Sequence, residues 1–197
     1  MKSSRLLKLV STLSFFVALN LSANAAANDT PGLLNQASPV SVTTPAAIAT
    51  DVQSVDGIIA ALYDVISGGI GEKRNWNRMR SLFVPDARIM AIFPKKESKD
   101  LGLKIMSISD YIANSGPILI ETGFREKELR RRTEQWGELV HVFTSYEAVI
   151  EKDGAIRRGI NSVQLMNDGT RWWIVSLLFE AERPQLRLPE QLSNLAK

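Results

Sequence analysis

Residues 61–89 read ALYDVISGGIGEKRNWNRMRSLFVPDARI, and the order of patterns inside them decides the fold. Upstream of this stretch Asp51 is a good N-cap, and Val55, Ile59, Leu62 and Ile66 recur at spacings of four, three and four. That recurrence makes one apolar stripe on a helix running from Asp51. Gly68, Gly69 and Gly71 then end it. Lying after one helix and before another, these glycines form a C-cap and hinge, not a phosphate-binding loop. A second short helix carries Trp76, Met79, Leu82 and Phe83 on one face until Pro85 stops it, and a strand follows over Ile89–Phe93.

Downstream, a charged loop, PKKESKD, precedes Ser107 and Asp110, whose spacing resembles a capping box for a short helix reaching Ala113. The remainder alternates. Leu139–Val149 and Ile156–Met166 flank the turn EKDG, NDG makes a second turn, and RWWIVSLLFEAE forms the last strand before Pro184. Asp-Gly between β-rich runs is a strong hairpin signal. Helices first and a strand meander second predict an α+β domain with a curved antiparallel sheet wrapped around N-terminal helices.

The ends have their own signatures. Lys2, Arg5 and Lys8, an apolar run from Leu9 to Leu21, and Ala23-Asn24-Ala25 predict a secretory signal peptide over residues 1–25. Residues 26–50 are rich in Ala, Ser, Thr and Pro and are expected to be a flexible linker; residues 185–197 are expected to be a polar tail. The domain therefore spans 51–184, and the expected location is periplasmic or secreted, with no stable membrane anchor once the leader is removed. The chain has 24 basic and 21 acidic residues, and three of the basic ones lie in the leader. The remainder is formally neutral, which argues against a nucleic-acid partner. The run FREKELRRRTEQW (124–136) is the hardest to place. As a strand it puts Glu126, Glu128, Arg130, Arg132 and Glu134 on one charged face, which is expected to be a solvated, salt-bridged rim. There is no cysteine and a single histidine, His141, so a transition-metal site has too few ligands, and no cofactor is expected.

A helix, a glycine break, a second helix with an aromatic, then F-x-P-D-A and a strand resembles the opening of the nuclear transport factor 2-like superfamily. This group includes the SnoaL-like and ketosteroid isomerase-like domains. The ending GINSVQLMNDGTRWWIVSLLFEAE (159–182) resembles the last hairpin of that group. The resemblance implies a cone-shaped sheet with a pocket at its open end, and says little about activity. It places Tyr63 where ketosteroid isomerases hold an oxyanion-binding tyrosine, and Asn161 or Ser162 near their second donor. The position of their general-base carboxylate falls on Ala91, and the aspartate of limonene epoxide hydrolases falls on Leu177. Each scheme therefore lacks a necessary carboxylate here.

Alternation on 139–149 places Leu139, His141, Phe143, Ser145, Glu147 and Val149 on one face and Val140, Val142, Thr144, Tyr146 and Ala148 on the other. By comparison with the family, the first set is expected to look inward, with Trp173, Val175, Leu177 and Phe179 from the last strand. The expected pocket is apolar and aromatic, closed by Trp76, with polar groups from His141, Ser145, Glu147, Tyr63 and Asn161, and suits a small, partly hydrophobic molecule. His141 and Glu147 lie about 20 Å apart along an extended strand and cannot form a dyad. If the protein is an enzyme, His141 is the expected base and Tyr63 or Asn161 the donors, without a cofactor. The competing expectation is a non-catalytic interaction module that forms a homodimer through the outer sheet face.

Overall fold

The computed structural model describes residues 44–96 and 100–193. The signal peptide and most of the linker expected over 1–50 lie outside the described residues. Helix α1 (Ala49–Val52) precedes α2 (Val55–Ile66), and the break between them changes the role of Asp51. It does not cap the long helix. Ser54 does, accepting from the Gly57 amide at 2.9 Å, while Asp51 is buried and paired with Arg78 at 2.7 Å. Arg78 also bonds Asp64, so one guanidinium ties α1 and α2 to α3 (Trp76–Leu82). Of the α2 stripe, Ile59, Leu62 and Ile66 are buried and Val55 partly so, and Ile58 and Val65 widen it. Each such side chain contributes about 1.5–3 kcal/mol of burial.

Six strands follow: β1 (Phe83–Pro94), β2 (Leu101–Met106), β3 (Phe124–Trp136), β4 (Leu139–Ile150), β5 (Ala155–Asn167) and β6 (Trp172–Ala181). They form one sheet in the order β2-β1-β6-β5-β4-β3. Four pairings are antiparallel, as expected, but β1 and β6 run parallel, so the sheet is mixed. Besides an irregularity in β1 between Phe83 and Arg88, two departures from regular pairing control which side chains face in around the site. One lies in β3 between Glu128 and Arg130, and one in β6 between Ile174 and Ser176. Each adds a residue and reverses the alternation beyond it.

Helix α4 (Ile108–Thr122) opens with the expected Ser107–Asp110 capping box and then continues nine residues past Ala113, through Pro117. Its C-terminal half is held from outside: the Gly71 amide donates to Ile120 O at 2.7 Å and the Lys152 amide to Thr122 O at 2.9 Å. The segment expected as a polar tail is also more than that. A short helix, α5 (Glu190–Ser193), buries Leu192, whose carbonyl accepts from the Ser145 hydroxyl at 2.7 Å. Among the described residues no helix is long and apolar enough to cross a membrane.

Candidate functional site

The inner face of β4 is Val140, Val142, Thr144, Tyr146 and Ala148, the set expected to face out. These five are turned into the core, where Thr144 reaches Tyr63 of α2, so His141, Phe143, Ser145 and Glu147 point to the outer face. The physical reason is that two β-branched valines and an alanine pack more closely on a helix than an imidazole and a carboxylate do. His141 Nε2 lies 2.9 Å from the Ser162 hydroxyl, and its ring sits 6.3 Å from that of Phe143. Both line a shallow outer cleft of about 190 Å³ with Arg132 and Glu134. Glu147 is paired with Arg158 at 2.6 Å and Lys127 at 3.0 Å, and these cations hold its carboxyl below the usual range. On β6 the irregularity at Val175 leaves Trp173 outside, where its indole donates to Asp168 at 2.6 Å and Arg171 stacks on its ring at 3.6 Å. Leu177 and Phe179, beyond it, face inward as expected. Trp76 packs against the core and against Gly116 of α4.

With His141 outside the core, His141→Ala should change stability by no more than about 1 kcal/mol. It should also leave the thermal shift produced by any inner-face ligand unchanged. Loss of that shift in the variant would return His141 to the site.

Tyr63 and Asn161 do come together, in company the sequence did not announce. Thr144 donates its hydroxyl to Glu128 Oε1 at 2.6 Å, and its oxygen lies 3.0 Å from the Tyr63 hydroxyl. Since the one Thr144 proton is directed at Glu128, Tyr63 is the donor in the second contact. Asn161 Nδ2 then donates to the Tyr63 oxygen at 3.2 Å and to Glu126 Oε1 at 3.4 Å. The Tyr63 proton is thus already used, and the tyrosine is a fixed support rather than a free donor.

Glu126 is the central group. Burial pushes its carboxyl up to about 7, and the Asn161 amide only partly opposes that. The chain has three tyrosines, and all three lie near this carboxylate: Tyr63 from α2, Tyr111 from α4 and Tyr146 from β4. Burial raises each phenol well above its ordinary range, and the charge of Glu126 adds to the effect. The Tyr111 and Tyr146 hydroxyls have no hydrogen-bond partner among the described residues. Tyr146 lies across Gly159, where a Cβ would come within 2.5 Å of its hydroxyl oxygen. Glycine at 159 is therefore required for the tyrosine to occupy that place. Leu177, Phe179 and Ala148 supply apolar wall. Among the described residues no group of three His, Cys, Asp or Glu side chains is placed to hold a metal ion.

No family model matches the sequence, and no curated protein does. Solved structures do share the architecture. The β subunit of a putative aromatic-ring-hydroxylating dioxygenase from Novosphingobium aromaticivorans aligns at TM-score 0.51 and 15% identity, over 72% of this chain and 94% of that one. A protein of unknown function with a cystatin-like fold, from Nostoc punctiforme, aligns at TM-score 0.50 and 12% identity, over 68% and 92%. An NTF-2 like protein of unknown function from Silicibacter pomeroyi aligns at TM-score 0.45 and 15% identity, over 64% and 92%. The fold is nuclear transport factor 2-like. At such identities the likeness concerns the backbone alone. In this nuclear transport factor 2-like chain the tyrosines and Glu126 stand on their own geometry.

Sequence reasoning missed Glu126, Glu128, Thr144, Tyr111 and Tyr146. One signal was available: Leu129 is the lone aliphatic residue in a charged run, where a regular strand would have given it to the charged face's opposite side. Tyr111 offered none: it lay within the short helix expected to end at Ala113, and no pattern tied it to β3.

Proposed function

We propose that this domain binds a small, partly hydrophobic molecule against the inner sheet face, and that Glu126 serves there as a cofactor-free acid–base group. One observation carries the reading: a part-buried carboxylate with a pKa of about 7 lies near two tyrosine hydroxyls that have no hydrogen-bond partner among the described residues. A group poised near neutrality exchanges protons with least cost in either direction. The Tyr111 and Tyr146 hydroxyls are offered to a polar atom of the ligand, able to donate or accept; Tyr63, Thr144 and Asn161 hold the frame. The leader-like start of the chain supports placing this activity outside the cytoplasm.

The test is a fragment screen by thermal shift, run in parallel on the wild type and Glu126→Gln. Ligands that stabilise the wild type and lose that effect in the variant support the site. If every stabilising ligand acts equally on both proteins, Glu126 is not part of a binding site and the reading falls.

A second reading rests on a separate observation. On the outer face Leu101, Leu103 and Ile105 are 48%, 56% and 59% exposed. Register places them beside Pro94, Ile92 and Met90 of β1, and Met90 beside Leu178 of β6. This continuous apolar row supports a homodimer through the outer face. Leu103→Glu should convert a dimer to a monomer in sedimentation velocity without loss of helical circular dichroism. A wild type that sediments as a monomer at high micromolar concentration would dismiss the dimer.

A further inference from the structure

The other partly buried carboxylates around the sheet each have a cation. Asp51 pairs with Arg78 at 2.7 Å, Glu128 with Arg131 at 3.1 Å, Glu147 with Arg158 at 2.6 Å, and Glu182 with Arg187 at 3.9 Å. Glu180 pairs with Arg183. Glu126 is the exception. It meets only the neutral amide of Asn161, through one oxygen, and no cation acts on it. The charged side chains that act on Tyr63, Tyr111 and Tyr146 are all carboxylates: Glu126, Glu128 and Glu182. Arg131 also points inward but is held by Glu128 and Asp56, so Glu126, inside an aromatic wall, is the one carboxylate of these six without a cation.

We propose that the ligand is a small organic amine, bound as the cation, with its charge against Glu126 and its N–H groups on the hydroxyl oxygens of Tyr111 and Tyr146. This rests on the inner-face site proposed above and names the class of molecule that fills it. An anion would be repelled by Glu126, whose charge no cation offsets. A neutral molecule would leave Glu126 as costly as it is now, whereas a cation supplies the missing half of a buried pair. Tyrosine faces add cation–π attraction in a desolvated setting. Because Glu126 holds its proton up to about pH 7, the amine must displace that proton to pair with it, so binding tightens as pH rises toward 8.

The experiment uses the full chain and two matched pairs of probes: tert-butylamine against tert-butanol, and benzylamine against benzyl alcohol. Thermal shift and calorimetry are read at pH 6 and pH 8. The expected result is at least about tenfold tighter binding of the amine than of the alcohol in one pair at pH 8, with a smaller preference at pH 6. Glu126→Gln should abolish the preference and its pH dependence, while Glu147→Gln, a surface carboxylate control, keeps both. Equal binding of amine and alcohol overturns the charge assignment and leaves the site itself standing. Amine binding that survives Glu126→Gln, or is lost equally in Glu147→Gln, overturns it as surface attraction. No response to any of the four probes also overturns it, and the fragment screen on Glu126→Gln then decides the fate of the site separately.

Discussion

Arg74→Met should cost about 3–5 kcal/mol of stability, a large part of what a domain of this size has. Arg74 is 7% exposed and hydrogen-bonds no carboxylate. Its guanidinium donates to main-chain carbonyls: Ile66 O at 3.0 Å, Gly68 O at 2.7 Å, Leu119 O at 3.1 Å and the carbonyl of Glu72. Ile66 is the last residue of α2, and Leu119 lies in the last turn of α4. The carbonyls at helix ends have no partner within the helix and carry the negative end of its dipole, so one planar cation satisfies both ends together. Methionine fills much of the same volume and donates nothing, leaving the Ile66, Glu72 and Leu119 carbonyls without the guanidinium and the Gly68 carbonyl with the Phe124 amide alone. Arg74→Lys should recover only part of the loss, because a single ammonium cannot reach carbonyls set around a flat fork. Urea unfolding of the three proteins measures this, and a methionine variant within 1 kcal/mol of wild type would refute it.

The second large effect depends on pH. Glu126 in the folded state holds its proton to about pH 7, against an ordinary value of 4.5. Below about pH 4.5 both folded and unfolded chains are protonated there, and Glu126 costs nothing. As pH rises from 4.5 to 7 the unfolded chain ionises freely while the folded one resists, so stability falls. Above about 7 the penalty is constant, on the order of 3 kcal/mol. Glu126→Gln removes the titration. The variant should match wild type near pH 4.5 and exceed it by about 2–3 kcal/mol at pH 8. A stability difference that stays level across this range would show that Glu126 ionises as readily in the fold as outside it.

These two residues show what the sequence disclosed and what it withheld. The stripe on α2, the capping box at Ser107 and the Asp-Gly turns are local patterns, and the chain folds them as they read. The two faces of β4 were also legible as two sets. Which set faces inward was not, because Phe143, Leu139 and Val149 make the outer set nearly as apolar as the inner one. Arg74 gave no sign at all, since a buried arginine that serves carbonyls from three segments has no spacing to betray it. Trp173 was misplaced for another reason. The irregularity at Val175 reverses the alternation of β6, and nothing in RWWIVSLLF marks it. The helix expected to stop at Ala113 runs on to Thr122 through Pro117.

The irregularity in β3 has a consequence for how this interior could change. Before it, Glu126 and Glu128 point inward; after it Arg131 does, bonded to Glu128 and Asp56. A strand read two residues at a time has two frames, and Leu129 is the point where β3 shifts from one to the other. The same thirteen residues therefore turn Glu126 and Glu128 inward on one side of that point and Arg131, Thr133 and Gln135 on the other. Moving the shift to the start of the strand, with no substitution anywhere, would turn Lys127 inward in place of Glu126 and Glu128 and exchange the sign of the charge presented to whatever the fold encloses.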